Sequence, residues 1–71
     1  MTLARILTDV DVRISPRVNA EGKVFTELHH SWTEGGQRRF ALSRVAYAIP
    51  DTKHSKAAQI EAFKKRQARA H

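Results

Sequence analysis

Two turn signals flanked by alternating segments constrain this chain more than any other feature in it. Asn19-Ala20-Glu21-Gly22 and Glu34-Gly35-Gly36-Gln37 each set residues that tolerate positive φ between runs of period two. Two such turns at hairpin spacing make a three-stranded antiparallel meander the economical outcome.

The first run places Ala4, Ile6, Thr8, Val10, Val12 and Ile14 on one face, against Arg5, Asp9, Asp11, Arg13 and Ser15 on the other. β-branched residues on one face and polar ones opposite are the signature of a half-buried strand. Leu3 and Leu7 interrupt the alternation, so residues 2–7 also fit a helical turn. Pro16 cannot donate to a ladder and marks a strand end or a sheet edge. The second run alternates Val24, Thr26, Leu28, His30 and Trp32 with Phe25, Glu27, His29 and Ser31.

The third run reads two ways. As a strand it puts Ala41, Val45, Tyr47 and Ile49 with Arg39 and Ser43 on one face, and Phe40 and Leu42 on the other. As a helix it stripes Phe40, Ala41, Arg44, Val45, Ala48 and Ile49. The meander implied by the two turns favours the strand. After Pro50, any of Asp51, Thr52 or Ser55 can cap a helix whose large apolar residues are Ile60 and Phe63, one turn apart. The expected architecture is therefore α+β: strands over about residues 4–15, 23–33 and 38–49, packed by a basic C-terminal α-helix over about 53–69. The whole of 1–71 reads as a single small domain, with 64–71 expected to fray because its last turns have nothing large to bury.

Charge narrows the partner class. The chain carries a formal net charge of +6, and the segment from Asp51 onward holds six Lys/Arg against two Asp/Glu. A near-neutral body with a cationic end meets nucleic acid, an acidic protein surface or an anionic membrane. Cations in a last helical turn also suit the negative end of the helix dipole without any partner. No apolar run is long enough for a membrane span and the N-terminus does not read as a signal peptide, so a soluble cytoplasmic protein with no membrane role is expected. Without cysteine there is neither a disulfide nor a thiolate metal ligand.

No catalytic residue, cofactor site or metal site emerges. His29 and His30 are neighbours on a strand and point to opposite faces, so they cannot chelate one ion. His30 reads as a packed histidine and His29 with Glu27 as a solvated pair. Gly35-Gly36 reads as a tight turn, since no strand-loop-helix phosphate motif follows. Trp32 and Phe40 are expected inside, and Phe25 is the aromatic expected to be exposed for base stacking or protein docking. Arg44, alone in an apolar run, is expected to snorkel from an edge or to contact phosphate.

The leading expectation is a small nucleic-acid-binding accessory or regulatory protein, with DNA favoured over RNA. It would act through Arg13, Arg17, Arg38, Arg39, Arg44, Lys56, Lys64, Lys65, Arg66 and Arg69 on phosphates. The alternative is a compact protein-binding inhibitor or adaptor of the virus- or mobile-element accessory type, docking on an acidic or nucleic-acid-binding surface. Either is compatible with a homodimer formed by pairing sheet edges.

Overall fold

The computed structural model of the chain describes residues 6–69. Three strands, β1 (Thr8–Val18), β2 (Val24–Glu34) and β3 (Gln37–Val45), form one antiparallel sheet in the order β1-β2-β3, and α1 (Lys53–Arg69) packs on it. The meander and the helix span expected from the sequence are both present.

The turns explain the register. Gly35 and Gly36 have φ of 59° and 77°, and Glu34 pairs directly with Gln37, so β2 and β3 are joined by a two-residue loop with both central residues left-handed. That geometry matches the twist of the flanking strands, and glycine adopts it without a Cβ penalty. In the longer β1–β2 loop the Asn19 side chain does the organising. Its Oδ1 accepts hydrogen bonds from the Glu21 and Lys23 backbone N–H groups at 2.9 and 3.0 Å.

One face of the sheet is covered. Val12 and Ile14 of β1 and Leu28 and Trp32 of β2 are buried, together with Ile49 from the connection and Phe63 from the helix; Val45 and Ile60 pack partly against them. Phe63 stacks on His30 at 4.5 Å between ring centroids and tilts against Trp32 at 5.0 Å, so one helical side chain meets two residues of the central strand. Truncating a buried Phe typically costs about 3–5 kcal/mol, comparable with the roughly 4–10 kcal/mol of total stability usual for this size. Docking of α1 therefore depends on Phe63. The helix starts where Thr52 caps it: its Oγ1 accepts from the Ser55 N–H at 3.1 Å.

The path from β3 to the helix is pinned by a buried hydroxyl. Thr26, fully buried on β2, donates from Oγ1 to the Tyr47 carbonyl at 2.8 Å and accepts from the Ile49 N–H at 3.0 Å. This bends the chain off the sheet after Val45, so the strand expected over 38–49 stops four residues early. Tyr47, expected on the apolar face, is instead exposed, while Ile49 reaches the core.

β1 departs from its expected span at both ends. Residues 4 and 5 lie outside the described region, Ile6 and Leu7 precede the strand, and the strand continues through Pro16 to Val18. Pro16 is accommodated because β1 is an edge strand and needs no second ladder partner there. A bulge at Asp9, whose φ is 52°, sets two residues, Asp9 and Val10, against the single Trp32 between the Thr8–Thr33 and Asp11–Ser31 pairs. The extra residue reverses the alternation. Ile6, grouped in the sequence with Val12 and Ile14, is left exposed.

Two outcomes test this packing. Thr26→Val keeps the shape but leaves the Ile49 N–H and Tyr47 C=O without their buried partner, and is expected to lower stability by about 1–3 kcal/mol in urea denaturation. His30 is the second. Burial, and secondarily the positive charge of Arg66, hold its pKa below the ordinary 6.5. The folded state thus binds fewer protons than the unfolded chain, so stability is full above pH 6.5 and declines as pH falls below it. Denaturation midpoints across that range should fall for the native chain and stay level for His30→Phe.

Candidate nucleic-acid interface

The helix covers only one side of the sheet. The opposite face is built from alternate residues that the register aligns in rows: Asp11 with Ser31 and Phe40, Arg13 with His29 and Leu42, Ser15 with Glu27 and Arg44, and Arg17 with Phe25. Among the described residues nothing packs over these rows, and Phe40 and Leu42 are 76% and 53% exposed.

Phe40 was expected inside and is exposed instead; Phe25, expected outside, does lie on the uncovered face but is only partly open there. Phe40 sits on an edge strand on the uncovered face, where no described element packs on it. Phe25 is half-buried, lining a hollow with Asn19, Arg44, Val45 and Ala46 where the β3–α1 connection leaves the sheet. Trp32 is buried as expected, and its indole N–H donates to Glu34 at 3.2 Å.

The arginines of this face are held in different ways. Glu27 on the central strand accepts from Arg17 Nε at 2.8 Å and from Arg44 Nε at 3.2 Å, so one carboxylate ties both outer strands to the middle. Arg44 is thus an ion-paired residue rather than one that simply snorkels. The Glu27 carboxyl is held below its usual pKa chiefly by the hydrogen bond from Arg17, with Arg44 adding to it against the opposing effect of desolvation. His29 Nε2 lies 4.0 Å from Glu27 Oε1, too far for a hydrogen bond, and makes no other.

Arg38 is fixed by neutral groups. It donates to the Asp9 carbonyl at 2.9 Å, Thr33 Oγ1 at 3.2 Å and Ser31 Oγ at 2.9 Å. The Asp9 bulge that brings this carbonyl to the guanidinium is invisible in the sequence. Arg38 keeps its full charge while losing much of its freedom, which lowers the ordering cost of any later contact with an anion. Arg13 has no ion-pair partner among the described residues, and it lines a shallow depression with Asp11, His29, Ser31 and Phe40.

The ten cations expected to act together are divided between two sides. Arg13, Arg17, Arg38 and Arg44 share the uncovered face. Arg39, opposite Trp32 in register, points to the side that carries the helix. Lys56, Lys64, Lys65 and Arg66 belong to α1, behind the sheet; Lys64 lies 3.8 Å from Glu61 and Arg66 sits 5.9 Å from the Phe63 ring centroid. The Arg69 side chain lies outside the described residues. Among the described residues no three His, Asp or Glu gather as a metal would need, and no helix is long and apolar enough to cross a membrane. Comparison with protein-family models, curated proteins and solved structures returned no match.

The Arg17–Glu27–Arg44 clamp has an acid signature. With the folded pKa of Glu27 depressed below 4.5, its contribution is complete above that value and is lost as pH falls through the folded pKa. Glu27→Gln should flatten this acid limb in denaturation curves and leave the decline attributed to His30 in place.

Proposed function

We propose that the chain binds duplex DNA through the uncovered face of its sheet, with Arg13, Arg17, Arg38 and Arg44 contacting phosphates. The observation that carries this reading is the distribution of those four residues: two on each outer strand, flanking a central strand of Glu27, His29, Ser31 and Thr33. Outer strands of a three-stranded sheet lie about 10 Å apart, close to the roughly 12 Å width of a B-DNA major groove. Arg38 and Arg44, on one face of β3, are separated by about 20 Å of strand, or roughly six base-pair steps. Cations therefore sit where both rims of a groove would run, and hydrogen-bonding side chains lie between them.

Asp11 and Glu27 oppose phosphate approach, but Glu27 is already neutralised by its two arginines. The helix cations face away from this surface and would be bystanders to a duplex seated on it.

A second reading has its own support. Exposed Phe40 and Leu42 form the kind of apolar centre that a protein interface uses, which keeps an inhibitor or adaptor docking on an acidic partner in view.

Salt titrations of binding to duplex DNA separate the two. With four cations on one face, the log–log slope is expected to be no steeper than about −4. Arg13→Gln and Arg38→Gln should each reduce its magnitude by about 1, while Lys64→Gln with Lys65→Gln should leave it unchanged. A slope flattened by the helix variants but not by the sheet variants would sink the sheet-face reading. Absence of binding at physiological salt would turn the case to the protein partner.

A further inference from the structure

Phe40 and Leu42 are the puzzle of the uncovered face. Binding phosphate requires cations, not hydrocarbon, yet β3 places two large apolar side chains side by side between Arg38 and Arg44 and exposes both. They add nothing to the core, which lies on the other side of the sheet. Nor are they scattered: they alternate with Arg39, Ala41 and Ser43, so they share one face and project the same way.

Building on the duplex-DNA reading, we infer that Phe40 and Leu42 seat on the C5-methyl groups of thymine in the major groove, making thymine-containing DNA the preferred ligand. The thymine methyl is the apolar feature a base pair presents in that groove, and apolar side chains are its complement. Charge complementarity selects this occupant over others. Arg38 and Arg44 bracket the pair on the same strand and Arg13 lies two strands away in the Leu42 row, so whatever covers the patch meets cations around it. A second copy of this chain would bring the same arginines against them. Uracil lacks the methyl, and the deep, narrow major groove of an RNA duplex excludes side chains, so the same two residues would discriminate DNA from RNA.

The experiment measures anisotropy binding of the full chain, at fixed salt, to a mixed-sequence DNA duplex and to the same duplex with every thymine replaced by uracil. Base pairing and phosphate charge are unchanged, and only the methyl groups are removed. The thymine duplex is expected to bind more tightly by about fourfold for each methyl buried. Phe40→Ala with Leu42→Ala should abolish that preference and leave the salt slope intact; both residues are exposed, so the fold should survive, as circular dichroism would verify. Equal affinity of the native chain for the two duplexes would overturn the inference while leaving duplex binding standing. A preference that persists in the double variant would overturn it as well, since the methyl contact would then lie elsewhere. No binding to either duplex would remove the underlying reading and the inference together. Sedimentation equilibrium supplies the last arm: a native dimer that the double variant dissociates would give the patch to a second copy and overturn the thymine contact.

Discussion

The hydroxyl of Thr26 holds the two layers in their relation. A meander of three strands has two faces and the described residues form one helix, so the fold is decided by which face the helix takes. By accepting from Ile49 and donating to Tyr47, Thr26 draws the segment after β3 over the side that carries Val12, Ile14, Leu28 and Trp32. Ile49 then enters the core, and the chain reaches Thr52 positioned to start a helix whose Phe63 meets His30 and Trp32. The other face is open as a consequence. A hydroxyl that satisfies one donor and one acceptor in an apolar setting is stabilising because both would otherwise be buried unpaired.

Much of this was readable from residue order. β-branched alternation located β1 and β2, Asn19 and the glycine pair located the turns, and Thr52 with Ile60 and Phe63 located the helix and its inward side. The errors came where a tertiary contact overrode a local pattern. Asp9-Val10-Asp11-Val12 alternates without a break, so nothing in it announces the bulge that shifts the phase before Val10. The run to Ile49 looks continuous because the Thr26 hydroxyl that interrupts it lies about twenty residues upstream. Phe40 was misplaced for a related reason. Alternation says which residues share a face, but only the helix position says which face is covered, and β3 lies beyond its reach.

The candidate site shows the same division. Its cationic character was legible in composition, whereas its partition was not. A sum over the chain puts the excess charge in the C-terminal segment, yet the arginines with the most defined surroundings are on the sheet: Arg17 and Arg44 on Glu27, and Arg38 on Ser31, Thr33 and the Asp9 carbonyl. Charge count predicts attraction at a distance. Hydrogen bonds that fix a guanidinium determine where a short-range contact can form.

The nearly complete exposure of β3 carries a consequence for how such a chain can diverge. From Gln37 to Arg44 the strand lends its backbone to β2 and buries no side chain. Substitutions at Arg38, Phe40, Leu42 and Arg44 therefore change the surface chemistry of the uncovered face without removing a buried side chain, within the limits set by strand propensity and by the Glu27 and Arg38 contacts. Stability and recognition are written in different stretches of a very short sequence. Ligand preference can drift on β3 under one selection while β1, β2 and the helix answer to another, a separation that small domains with a single shared core seldom achieve.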